Sequence, residues 1–171
     1  DLDKFYQVQT LDDLKELTAG LRTGWVTIDA FNNAEMKLQE VHNFEGLFTL
    51  LEHHRFNYIP RAIYETFDEL EARKKSLNHV VIEPTLAIYL PSPTYVYVSS
   101  AEPRIAQRIE KGLRIMLKNG ELEQILNKYY ADDIKRGNVK NRKIIKIEST
   151  YHIDKKLLED KTLWHQMSFE E

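Results

Sequence analysis

The sequence predicts an α/β fold, and three stretches carry that prediction. Residues 95–130, YVYVSSAEPRIAQRIEKGLRIMLKNGELEQILNKYY, place four alternating aromatic and β-branched residues ahead of two amphipathic helical patterns. Leu17 to Leu21 reads as a strand that turns through Arg22-Thr-Gly-Trp-Val-Thr27 into a helix. Leu77 to Ile82 and Leu86 to Tyr89 are β-rich runs separated by Glu83-Pro84.

Composition narrows the class. At 171 residues, 42% apolar and 11% aromatic, the chain can bury a core and has the length of one large or two small domains. A net charge of -3 argues against a nucleic-acid binder, whose footprint is strongly basic. The local cluster Lys140, Arg142, Lys143 and Lys146 alternates with Ile144 and Ile145, as the solvated face of a strand does. The absence of cysteine excludes disulfides, thiolate zinc sites and cysteine nucleophiles. No apolar run reaches the roughly 18 residues that span a bilayer, and DLDKFYQVQT lacks the basic start and apolar stretch of a signal peptide.

Taken in order, Thr10-Leu-Asp-Asp13 has the pattern of a capping box and starts a short helix over residues 11–16. After the strand at 17–21, the turn containing Gly24 leads into a helix expected from about Ile28 to Gln39, then a short strand at 41–43. Phe44 to His53 forms a helix with Leu47, Phe48, Leu50 and Leu51 inward, and a further helix runs from Ala62 to about Lys74. Pro91 and Pro93 stiffen a crossing. In residues 95–130 a strand at 95–98 precedes a helix with Pro103 in its first turn, and Ile105, Ile109, Leu113 and Met116 form its apolar stripe. Gly120 supplies a left-handed stop, and Leu122, Ile125, Leu126 and Tyr129 mark the next helix, fraying over 131–137. Lys143 to Ile147 reads as a strand and Leu157 to Trp164 as a small amphipathic piece, with 168–171 loose.

The run IEKGLRIMLKNGELEQILNKYY, together with TLDDLKELTAGLRTGW upstream, resembles bacterial periplasmic solute-binding proteins of the amino-acid ABC transporter type (family 3). The resemblance implies a type II periplasmic binding protein-like fold, with one complete lobe plus the C-terminal helical part of the other. Residues 1–9 would be an inter-lobe strand and 10–90 lobe two. Residues 91–136 would be the return crossing and the closing strand and helices of lobe one, and 137–171 a C-terminal extension. Only nine residues precede Thr10, so the N-terminal part of lobe one is expected to be missing. The exposed C-terminal helices would then make a second copy of the chain a candidate partner.

The same resemblance implies a periplasmic protein that presents a small-molecule solute to an ABC permease. Its ligand-binding residues would be Arg22, Thr23, Gly24, Trp25 and Thr27, with Arg61 and Glu65. The physical basis is that N–H groups at a helix start are unpaired and carry partial positive charge, so a strand–glycine–helix turn can hold an anion. The residues alone also fit an ordinary strand-to-helix turn capped by Thr27 or Asp29. In Arg55-Phe-Asn-Tyr-Ile-Pro-Arg61, Asn57 and Arg61 stand where amino-acid binders carry acids. An arginine fork suits carboxylate or phosphate and repels ammonium, which points to a small polar or anionic, amino-acid-like solute, or to a vestigial site. A surface salt bridge between Arg61 and Glu65, one helical turn apart, is the alternative.

A ligand-sensing module of a signalling receptor is the second functional class, since such receptors use the same fold. An enzyme is not expected: there is no paired-acid motif, phosphate loop or nucleophile elbow. No cofactor or metal is implied, because His53 and His54 are adjacent and His42, His79, His152 and His165 lack ligand spacing.

Overall fold

The computed structural model describes residues 2–148 and 153–164. The expectation of loose residues at 168–171, and the positions of His152 and His165, lie outside them. Two units follow from the distribution of contacts, one formed by residues up to Pro91 with the stretch from Asp133, the other by Ser92–Asp132 with the C-terminal segment.

The first unit is mixed α/β. Helix α1 covers Leu2–Tyr6, where a strand was expected. Phe5 and Val8, one helical turn apart, both bury in the core, and an extended segment would have sent them to opposite faces. Helix α2, Leu11–Lys15, begins with the expected capping box: Thr10 Oγ1 accepts from the Asp13 N–H, and Asp13 Oδ2 accepts from the Thr10 N–H at 2.9 Å. Strand β1 covers Ala19–Arg22 and α3 Thr27–Asn33.

Helix α3 stops before the expected Gln39. Glu35 adopts φ 56°, and the Met36 and Glu35 N–H groups return to the carbonyls of Phe31 and Asn32 at 2.9 Å each. This is a left-handed terminating motif without its usual glycine. The strand therefore comes earlier than 41–43, as β2 over Leu38–Val41. Helix α4, Phe44–Glu52, is capped by Asn43 Oδ1 and ends in the same way at His54, φ 54°.

Strands β1 and β2 pair in parallel, with Ala19 opposite Leu38. On the other side of β1, Tyr58 makes a parallel bridge to Ala19. The Thr18 N–H donates to Asn57 Oδ1 and the Asn57 N–H to the Thr18 carbonyl, both at 2.8 Å. Spatial order is thus β2, β1, then residues 57–58, although in sequence β1 comes first. The two faces of this small sheet are covered by different elements. Ala19 and Leu21 join Ile28, Ala30 and Phe31 of α3 in one core cluster, while Phe56 joins Leu47 and Phe48 of α4 in a second.

Helix α5 spans Ile63–Arg73 and has no buried residue. The β-rich stretch 77–82 is not a strand. Both carboxylate oxygens of Glu52 accept from the Asn78 and His79 N–H groups, at 3.0 and 3.1 Å, and these bonds fix a bend there. Strand β3, Leu86–Tyr89, pairs in parallel with β4, Lys143–Lys146, close to the expected span. Leu86, Ile88, Ile145 and Ile147 from this second sheet line the same cluster as β1 and α3.

In the second unit, α6 covers Pro103–Asn119 and stops at Gly120, φ 81°, as expected. Helix α7, Glu121–Gly137, continues without fraying through 131–137 and crosses from the second unit into the first. Within the first unit its last turn is held by Arg136, whose guanidinium lies 4.1 Å from the Phe67 ring centroid. Residues 95–98 are not a strand: no described segment pairs with them, and Tyr97 is 90% exposed. A strand signal with no neighbour to hydrogen-bond leaves extended chain. Helix α8, Lys155–Glu159, and a 3-10 turn at Lys161–Leu163 end the described chain, with the Trp164 indole N–H donating to the Leu157 carbonyl at 2.8 Å. No described helix is long and apolar enough to cross a membrane.

The closest approach in the first sheet is at Gly20, where an added methyl would overlap the ring carbons of Phe56. Gly20→Ala is expected to destabilise the protein by about 1–3 kcal/mol through overpacking. Urea unfolding measures this, and an unchanged midpoint would contradict the packing described.

Candidate functional site

The order β2, β1, 57–58 means that the chain steps one way from β1 and then the other. Such a reversal leaves a crevice at the carboxyl ends of the two strands that flank it, the usual place for ligands in open parallel sheets. Here those ends are Arg22-Thr23-Gly24-Trp25 after β1 and Ile59-Pro60-Arg61 after the bridged segment.

The turn after β1 is tight. The Thr23 N–H donates to the Val41 carbonyl and the Trp25 N–H to the Arg22 carbonyl, each at 3.0 Å. Gly24 takes φ 86°, a conformation that L side chains rarely adopt, and the space where its Cβ would lie is open. Neither Thr27 nor Asp29 caps α3. Val26 occupies the cap with no side-chain hydrogen bond, and Thr27 is already the first helical residue. The Thr23 and Thr27 hydroxyl oxygens are both buried, and neither has a partner among the described residues. A third such atom is the Tyr58 hydroxyl. Burial pushes that phenol well above its ordinary value of 10.0, so it stays a protonated donor.

The structure brings Arg61 and Trp25 together. The Arg61 guanidinium carbon lies 4.7 Å from the Trp25 ring centroid and 5.5 Å from that of Phe44. Glu65 is also present, with Oε2 at 3.1 Å from Arg61 Nη2 and accepting from the Ala62 N–H at 3.2 Å. Thr23, Gly24 and Thr27 flank Trp25 in the same turn, whereas Arg22 projects to solvent.

One residue, and the role of a second, escape the sequence reading. Glu69 takes Arg61 in a two-pronged pair, accepting from Nε at 2.8 Å and from Nη2. Glu65 and Glu69 are four residues apart and share one face of α5, a spacing legible in the sequence, while Arg61 precedes the extended cap residue Ala62 and folds back onto that face rather than continuing it as the reading of one shared helical face expects. Asn57, read as a departure from an acidic motif, instead binds the backbone of Thr18 and fixes the register of the bridged segment.

Arg73 extends the arrangement. Its guanidinium carbon is 4.0 Å from the Phe48 ring centroid and 5.2 Å from that of Phe44. Its Nε donates to Glu45 at 2.9 Å, and Nη1 to the Glu69 carbonyl at 2.8 Å. Trp25, Arg61, Phe44, Arg73 and Phe48 thus alternate as ring and cation. The hydrogen bond from Arg73 holds the Glu45 carboxyl below its ordinary value of 4.5, and the same bond raises Arg73.

No family model matches the chain, and no curated protein matches it. Among solved structures, an ancestral arginine-binding protein bound to arginine is similar over 72% of this chain and 54% of that one, at 19% identity and a TM-score of 0.44. The chain spans about half the length of that structure.

A group whose carboxyl is lowered on folding adds stability that is fully present above its unfolded value and is lost as pH falls through the folded one. Glu45→Gln is therefore expected to be less stable than the parent at pH 7, with the difference shrinking as pH falls below 4.5. Paired urea titrations across pH 2.5–7 test this, and a difference independent of pH would exclude the Arg73 pair as its source.

Proposed function

We propose that this chain is the solute-binding part of an extracytoplasmic binding protein of an ABC-type uptake system, with a type II binding-protein architecture of which residues 10–90 form one lobe. A small polar, amino-acid-like solute would sit at the carboxyl end of β1. The Trp25 ring would form its wall, Gly24 would allow close backbone approach, and the Thr23 and Thr27 hydroxyls would bind its polar groups. The role is one of binding and release rather than catalysis, and a permease in the membrane would be the receiving partner.

The observation that carries this reading is the placement of two buried hydroxyls without partners at the strand-order reversal, beside an aromatic ring. A buried hydroxyl left unpaired costs about 1–3 kcal/mol. Its presence is understandable where a ligand supplies the missing bond. The stacked guanidinium of Arg61 fixes the ring that such a ligand would lie against.

Thr27→Val separates function from stability, because it removes the hydroxyl and keeps the shape. The free protein is expected to be as stable as the parent or more so by about 1 kcal/mol. Solute binding should weaken about tenfold, the equivalent of ~1.4 kcal/mol for one lost hydrogen bond. A panel of amino acids, amides, amines and dicarboxylates, followed by thermal shift and by the amide resonances of residues 23–27, supplies the binding assay. A panel with no member moving those resonances would overturn the proposal, as would a binder unaffected by Thr27→Val.

A further inference from the structure

We propose that Glu69 sets the charge selectivity of this site by filling the fork of Arg61, so that the solute is neutral or cationic overall and no anionic group is taken at Arg61. The inference rests on the reading of the β1–α3 turn as a solute site, and refines it.

A guanidinium has five N–H donors, and an isolated arginine offers two of them side by side to a carboxylate or phosphate. In Arg61 that offer is taken. Glu69 accepts from Nε and Nη2, Glu65 Oε2 lies 3.1 Å from Nη2, and the Trp25 ring covers one face. The end left without a hydrogen-bond partner among the described residues is Nη1, whose two N–H groups diverge and so cannot grip a single carboxylate as the Nε–Nη2 fork does. The side chains of Arg61 and Glu69 are only 15% and 18% exposed, so solvent screens this pair weakly.

Charge points the same way. One cation faces two carboxylates, Glu65 and Glu69, leaving the cluster with a net negative charge. Arg73 also feels Glu69, but it brings Glu45 with it, so two cations then face three carboxylates and the balance stays at one net negative charge. Glu65 is the more open of the two acids, 35% exposed. A phosphate or carboxylate arriving here would meet like charge and an occupied fork. An amide or hydroxyl oxygen at Nη1, or a cationic group beside Glu65, meets neither obstacle. The helix that follows Arg61 thus supplies, from its second turn, the residue that closes the fork.

The test uses inorganic phosphate and the full chain labelled with 15N. In the parent, the Arg61 Nε–H resonance should not respond to millimolar phosphate. In Glu69→Gln, which keeps the shape and removes the charge, phosphate should shift that resonance saturably, at least about tenfold more tightly than in the parent. Glu65→Gln removes the same charge without opening the fork, and no such gain is expected. Equal phosphate binding in the parent and Glu69→Gln would overturn the assignment. So would an equal gain in both variants, which would make the effect one of net charge alone. If Glu69→Gln does not fold, Glu69→Asp, too short to hold both donors, takes its place. The solute panel on the parent is read separately. A panel without a binder sinks the solute site and leaves the fork assignment standing, whereas a failed phosphate gain sinks the fork assignment alone.

Discussion

The bare α-carbon of Gly20 is the constraint on which the first unit depends. Because that residue has no side chain, the Phe56 ring can lie against β1 itself. The ring then serves two purposes, closing the cluster under α4 and setting the distance at which the following residues run beside β1. Asn57 and Tyr58 fall into register with Thr18 and Ala19 as a consequence. Pro60, with its fixed φ, then carries the chain to Arg61 over the ring of Trp25. The position of the most distinctive side chain in the site thus follows from an absent methyl group forty-one residues earlier in the sequence.

Cations carry much of the docking of α5. That helix has no fully buried residue: Ile63 and Phe67 meet the end of α7, and on its other side Arg73, with Arg61 just before the helix, stacks on Trp25, Phe44 and Phe48. Such contacts are worth about 0.5–1 kcal/mol each when exposed and ~2 when desolvated. They anchor a helix firmly enough to order it, yet far less firmly than a buried apolar stripe. A helix held in this way belongs to the low-stability end of a structure, where motion linked to ligand is cheapest.

Local chemistry was legible in the sequence wherever a residue type carries its own geometry. The Thr10–Asp13 box, the Gly120 stop, the helix from Phe44 and the alternating run at β4 all form near where the sequence places them. The failures have two causes. Glu35 ends α3 in a left-handed conformation that its residue type does not advertise, so the sequence makes α3 too long and β2 too late. Residues 95–98 and 77–82 have β propensity, but a strand exists only with a neighbour, and propensity says nothing about neighbours. Trp25, Arg61 and Glu65 are residues the resemblance points to, and the structure places the three side by side. The reversal of strand order that brings them together is a property of the assembled sheet.

The end of β1 also differs from its surroundings in how poorly it satisfies local rules. Several helix starts are provided for: Thr10 caps α2, Asn43 caps α4, Glu65 reaches the start of α5 and Asp154 caps α8. In contrast, α3 begins after Val26, which supplies no side-chain cap, close behind a glycine at positive φ and between two buried hydroxyls without partners among the described residues. Folding alone would favour a capping Ser or Asp at position 26 and a methyl in place of each hydroxyl. Sequences that are otherwise consistent from level to level depart from these preferences chiefly where function asks for it. That the departures converge on the strand end to which Arg61 is delivered is the strongest physical reason to regard this edge, among those described, as the working surface of the protein.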